Sequence, residues 1–206
     1  SRLGRQRDAT TRIPDPHKGQ DGGLGAGVSL RDAIAASEPA LDKGFAKQPL
    51  VEARLRLALG TTFSYLAEHD QARSQFERAR ALFTQHPGPD HPDTLTSMNN
   101  LANSYWALNC QAEALKLREE VLAIQRLVLP KDHPHTLRSL HNLAVSYFTL
   151  NRVAEALKLF EEVVEIMKRV LPPDHLDTLI SMHNLANSYT ARGQKCYKLE
   201  ASARAA

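Results

Sequence analysis

Acidic and imidazole side chains meet at three places: Asp90-His91, Asp132-His133-Pro134-His135 and Asp174-His175. Those residue types could ligate a divalent metal, which needs three or four donors closing on one point at about 2 Å. Their spacing argues against it. Asp90, Asp132 and Asp174 are separated by 42 residues at each step, so the clusters fall one structural unit apart rather than converging. We expect turns at these places, and neither a metal nor a cofactor. Gly22-Gly23-Leu24-Gly25-Ala26-Gly27 has the composition of a phosphate-cradling loop, but a nucleotide fingerprint follows a strand and opens a helix. Here only polar sequence precedes it and no Gly-Lys-Ser/Thr follows, so it reads as linker. Cys110 has no histidine beside it on its own short segment, and with Cys196 it makes neither a disulfide framework nor a metal spacing. No catalytic motif is legible, and the chain is expected not to be an enzyme.

What remains is a row of amides, imidazoles and aromatics that recurs in step. DHPDTLTSMNNLANSY begins at Asp90, DHPHTLRSLHNLAVSY at Asp132 and DHLDTLISMHNLANSY at Asp174. Within each copy Leu95, Met98, Leu101, Ala102 and Tyr105, or their counterparts, fall at the three- and four-residue steps of one helix face. Asn99, Asn103 and Trp106 point away from that face, with Asn100 at its edge; their counterparts are His141, Asn142 and Phe148, then His183, Asn184 and Asn187. Asparagine costs a helix roughly several tenths of a kcal/mol against alanine. A merely solvated face would more often carry Glu, Lys or Ala. An amide donates and accepts at once, which suits a peptide main chain lying along a groove. We expect these ten residues to line such a groove, with the histidines tuning affinity near pH 6.5.

The elements that must position this row are helix pairs. In the second unit the helix through Leu101 is broken at Asn109-Cys110, and a second helix runs from about Gln111 to Leu129, ~28 Å long. Its buried stripe uses Ala114, Leu115, Leu117, Val121, Leu122 and Val128, and Pro130 ends it. Lys131 to Thr136 turns the chain into the next unit, where Thr136, like Thr94 and Thr178, is placed to act as the N-cap. No strand signal appears. A period between roughly 20 and 50 residues marks a stacked array in which each unit buries its apolar face against its neighbours. The expected fold is all-α, a right-handed superhelical stack of antiparallel helix pairs. The domains read as a flexible linker over 1–28, an N-terminal helical segment over 29–48 and repeats over 49–194, followed by a truncated or frayed tail over 195–206. The repeats divide into 49–89, 90–131, 132–173 and an incomplete 174–194. In that last unit Leu179, Met182, Leu185 and Tyr189 lack a complete partner helix, so self-association through the uncapped end is expected.

Composition fits an interaction module. The 206 residues are 42% hydrophobic and 24% charged with a net charge of +3, the composition of an ordinary globular domain. Basic residues are scattered among acids, so no nucleic-acid or membrane patch stands out. No stretch approaches the roughly 18 consecutive apolar residues of a membrane helix, and the Arg-rich start has no apolar stretch after it. A cytoplasmic location and a protein or peptide partner follow as expectations.

Leu59-Gly60, Phe63, Ala72, Phe76 and Ala79, and again Leu143-Ala144, Tyr147, Ala156 and Phe160, carry the L-G-x-x-Y and A-x-x-x-F-x-x-A pattern of tetratricopeptide repeats. Standard repeats of that family have 34 residues; the 42-residue form here resembles the repeats of kinesin light chains and their bacterial relatives. The resemblance covers about Pro49 to Gly193 and implies an α-solenoid whose first helices line a peptide-binding concave groove. Arg118 departs from it, standing where an aromatic is expected. Separately, Val28 to Gly60 resembles the segment that joins the catalytic region of certain bacterial Ser/Thr protein kinases to C-terminal tetratricopeptide repeats. That implies an alternative reading: the non-catalytic tail of such a kinase, recruiting substrates or regulators. The chain itself has no Val-Ala-Ile-Lys, His-Arg-Asp or Asp-Phe-Gly.

Overall fold

A computed structural model describes residues 47–205 without a break, side-chain surroundings through Gly193, and the isolated positions 36, 41, 44 and 45. The expected linker over 1–28 and most of the helical segment over 29–48 lie outside the described residues, as does nearly half of the Val28 to Gly60 kinase-linker resemblance. The chain divides into two units between Gly44 and Phe45, and the second contains everything that follows.

Seven helices are described: α1 (Pro49–Tyr65), α2 (His69–Gln85), α3 (Pro92–Ala107), α4 (Gln111–Val128), α5 (Pro134–Thr149), α6 (Val153–Val170) and α7 (Leu176–Ala205). The first six form antiparallel pairs α1–α2, α3–α4 and α5–α6, and each second helix packs on the first helix of the next pair. The result is the expected all-α stack. Short turns force the pairing. Ala67, Asn109 and Asn151 each sit in the left-handed region at φ of 59, 62 and 60°. The following amide then reaches back five residues: Glu68 to the Phe63 carbonyl at 2.9 Å, Cys110 to Tyr105 and Arg152 to Tyr147 both at 2.8 Å. This closure satisfies carbonyls left open by the ending helix. Asparagine tolerates the left-handed conformation better than other non-glycine residues, which explains its recurrence at two of the three turns.

The turns between pairs differ from expectation in one respect. His91 and His133, not Thr94 and Thr136, are the N-caps; their Nδ1 atoms accept from the Asp93 and His135 amides at 3.2 Å. Proline at the first helical position starts each helix three residues earlier than a threonine cap would. The threonines instead donate backwards, Thr94 to the Gly88 carbonyl at 2.7 Å and Thr136 to Pro130 at 3.4 Å. His175 Nδ1 likewise accepts from the Asp177 amide at 3.3 Å. The aspartate–histidine pairs therefore build turns, and among the described residues no group of three or more His, Cys, Asp or Glu is gathered to hold a metal.

Packing follows the repeat register. Phe76 and Phe160 occupy equivalent positions and are 1% exposed. Opposite Phe76 stands Gly60, where an added Cβ would lie 2.6 Å from the ring; the glycine lets the ring rest directly on the α1 backbone. Tyr105, Tyr147 and Tyr189 donate to Glu77, Glu119 and Glu161, so each first helix is tied to the second helix of the preceding pair by the same bond. Arg80–Glu120 and Arg126–Glu162 link successive second helices. The last helix departs from the pattern: α7 runs on through Ala205, past Gly193, which aligns with Asn109 and Asn151. Among the described residues no turn returns a partner onto its face, and Leu179 and Met182 are 48% and 38% exposed where Leu137 and Leu140 are 3% and 1%.

Candidate functional site

All ten residues picked from the sequence lie on first helices: Asn99, Asn100, Asn103 and Trp106 on α3; His141, Asn142 and Phe148 on α5; His183, Asn184 and Asn187 on α7. Asn103, His183 and Asn187 are exposed, and the other seven are half-buried.

They form three groups rather than one continuous row. The first surrounds Arg118 of α4. Its guanidinium donates to Asn103 Oδ1 at 3.0 Å, to the Asn142 carbonyl at 3.4 Å and, through the same Nη1, to Ser146 Oγ. It also lies 5.0 Å from the centre of the Trp106 ring. Thus Asn103 and Trp106 from one pair and Asn142 from the next converge on one cation. The Arg118 side chain is almost wholly covered at 8% exposure, and burial lowers its proton affinity from the usual arginine value. Sequence reading missed its role. The available signal was positional: Phe76, Arg118 and Phe160 share a register, and a charge at a core position requires acceptors.

The second group is a cavity of about 590 Å³ between the starts of α5 and α7, floored by the end of α6; His141, Asn142, His135, Arg138, Met167 and His175 are among its lining residues. His141 is fixed there by a 2.8 Å bond between its Nδ1 and Ser181 Oγ and by an edge-on contact with Phe160 at 5.7 Å. Burial holds the His141 imidazole below its ordinary pKa, with Asp177 pulling the other way. His135 is lowered too, by burial and then by Arg138 and His133. The third group is the pair His183 Nε2 and Asn187 Nδ2 at 2.9 Å on α7.

The remaining residues are not drawn together by side-chain bonds. Asn100 and Asn184 accept from Ser104 and Ser188, but only through their main-chain carbonyls. Phe148 packs against the apolar core of α5 and α6, which removes part of the ring from any groove wall.

Comparison with known proteins agrees with this architecture. The tetratricopeptide repeat pattern matches residues 51–126 and, in a second form, 136–177. No curated protein matches the sequence. Among solved structures, the chain is similar to the nearly identical TPR-like repeats of a Podosopora anserina protein described as a kinesin light chain, with 30% identity, 82% of each chain covered and a TM-score of 0.67. A variant of the same repeats gives 34% identity over 71% of this chain and 69% of that one, with a TM-score of 0.64. BtubC (BKLC) from P. vanneervenii shares the fold at 19% identity, covering 85% of this chain and 74% of that one with a TM-score of 0.68.

Proposed function

Because this chain belongs to the tetratricopeptide repeat family, whose members are protein-interaction scaffolds, we propose that it holds an extended peptide segment against the face made by α1, α3, α5 and α7. The observation that carries this reading is the convergence of Asn103, Trp106 and Asn142, from two neighbouring helix pairs, on one guanidinium. With Asn103 Oδ1 engaged, its Nδ2 is left to donate; Asn142 is engaged through its main-chain carbonyl, and the residue lines the cavity beside His141. The Asn103 amide, so anchored, can bond a peptide main chain with less rotamer freedom left to lose. Trp106 supplies the aromatic contact that commonly dominates interface energy. The scaffold has no chemistry of its own in this reading, and its place is the cytoplasm. The alternative, a kinase tail, rests on Val28 to Gly60 alone, whereas the matched regions are repeats.

The test is the double substitution Asn103→Ala with Asn142→Ala, measured by calorimetry against a partner recovered by pull-down. Helical content is expected to be unchanged, with affinity falling by about 1 kcal/mol per lost hydrogen bond. Unchanged affinity with an intact fold would move the binding surface to the opposite, second-helix face. Self-association belongs to the same proposal: a second copy covers the apolar side of α7 where Leu179 and Met182 stand open. Sedimentation velocity should find concentration-dependent association that Leu179→Lys weakens; a wild type that stays monomeric at high concentration refutes it.

A further inference from the structure

Arg118 is a buried charge without a counter-charge. Among the described residues no carboxylate lies within ion-pair distance of it. The two acids that follow it in sequence are committed elsewhere, Glu119 to the Tyr147 hydroxyl and Glu120 to Arg80. All three of its acceptors are neutral oxygens: Ser146 Oγ, the Asn142 carbonyl and Asn103 Oδ1. A guanidinium has five N–H donors, of which Nη1 uses two here and Nη2 one. The Nε hydrogen and one Nη2 hydrogen have no acceptor among the described residues. Those two nitrogens form the side-on edge of arginine, the edge that takes a carboxylate through two parallel bonds.

The fold does not require a charge at this position. Phe76 and Phe160 fill the equivalent places and are almost wholly buried. A buried ion replaced by a well-packed apolar residue usually leaves a protein as stable or more so. An arginine here therefore opposes packing and calls for a different account. Its neighbours indicate one: of its three acceptors only Asn103 belongs to an exposed residue, on the first-helix face beside Trp106, so it is the one most readily displaced.

We propose that Arg118 is the anchor for an acidic side chain, Asp or Glu, on the bound peptide segment, which replaces Asn103 as acceptor and supplies the missing counter-charge beneath Trp106. This rests on the groove reading above and adds the chemistry of the partner to it. Charge-assisted bonds to a carboxylate are roughly twice as strong as those to a neutral amide. The partially desolvated site strengthens the attraction and screens it from salt less than a surface pair would be. Trp106 is the single tryptophan of the chain, so its fluorescence reports events at Arg118.

The experiment titrates the full chain with a short capped Glu-Ala repeat peptide, its Gln-Ala counterpart and sodium phosphate, following Trp106 emission. The expected result is saturable binding of the Glu-Ala peptide, about tenfold or more tighter than the Gln-Ala peptide. In Arg118→Phe, which copies the sister repeats, the preference for glutamate should vanish, with both peptides binding only weakly, while the melting temperature is kept. Arg118→Lys should keep part of the preference, since it retains the charge and loses the two-bond geometry. A glutamate preference undiminished in Arg118→Phe overturns the anchor while leaving the groove reading intact. Equal binding of both peptides to the wild type overturns it in the same way, as does saturable binding of phosphate alone, which would assign a small-anion site. The groove reading itself fails only if the Asn103→Ala, Asn142→Ala double variant binds its recovered partner unchanged.

Discussion

The α3–α4 and α5–α6 pairs are built from nearly the same residues in the same register, yet their cores differ in kind. In α5–α6 the second helix offers Phe160 and Met167, and the cluster around them is apolar throughout. In α3–α4 the equivalent residues are Arg118 and Gln125. Arg118 finds acceptors by reaching across into the next pair. Gln125 does not: its side chain is completely buried and neither amide atom has a partner. Ser139, at the position where Ser181 meets Met167 at 3.6 Å, is likewise without one. The lesson is that a solenoid of stacked pairs tolerates polar substitution in one unit because its neighbours carry the apolar core. Such departures then mark where something other than packing acts. The first pair shows a third solution, a buried network of Glu52, Arg56 and Gln75 with bonds of 2.8 and 3.0 Å; there the charge is neutralised internally, unlike at Arg118.

The largest effect should come from transplanting the polar residue into the apolar pair. Phe160→Arg would put the guanidinium opposite Val145, where Arg118 has Asn103, so the charge loses one of its two side-chain acceptors and keeps only Ser188 in the place of Ser146. A cost of about 3–5 kcal/mol is expected, read as a drop in the urea midpoint. A loss below about 1 kcal/mol would mean that the two sites are equivalent after all.

The reverse transplant should stabilise. Gln125→Met removes two unpartnered buried groups and restores the side chain found at Met167, for a gain of about 1–3 kcal/mol in urea unfolding at unchanged slope. Destabilisation would indicate that the Gln125 amide is satisfied by internal water.

A smaller loss, up to about 1 kcal/mol, is expected for Tyr147→Phe, which cuts the hydroxyl bond to Glu119 while keeping the ring. The tyrosine supplies its own spectroscopic check. Burial first, then the bond to Glu119, push the Tyr147 phenol up to about 12, so Glu119→Gln should bring its ionisation to lower pH in an absorbance titration. No downward movement would break the ladder argument.

The smallest effect concerns His141, where α3 has Asn99. Its folded-state pKa is held below the ordinary 6.5, by burial. Protonation therefore favours the unfolded chain: its contribution to stability is complete above that value and is lost as the pH falls through the lowered one. His141→Asn should flatten the stability profile over that window, measured by urea unfolding at stepped pH. An unchanged slope would assign the pH dependence to His135 and the other cavity residues.

Much of the fold was legible because its determinants are local and repeated. The 42-residue step, the helical spacing of Leu95, Met98, Leu101 and Ala102, and the punctuation at Asn109 and Pro130 each act within a few residues. Their copies in register specify how one pair stacks on the next. The site was legible only in outline: the ten residues were assigned to first helices, where they lie, although α3 and α5 start earlier than the threonine caps implied. The aspartate–histidine turns were recognised, but the cap itself was misassigned, since threonine and histidine both offer acceptors and only the backbone path past Pro134 selects His133.

The sequence by itself determined the repeat, the all-α pairing and which helices carry the amide row, because periodicity and turn chemistry need no knowledge of distant residues. Tertiary structure alone decided which of those residues act together. Arg118 meets Asn142 and Ser146 across 24 and 28 positions of chain, and a contact of that range depends on how two pairs dock. The same docking left Gln125 unpartnered and Arg118 without a counter-charge, because the neighbouring helix presents carbonyls and hydroxyls at that height and no acid.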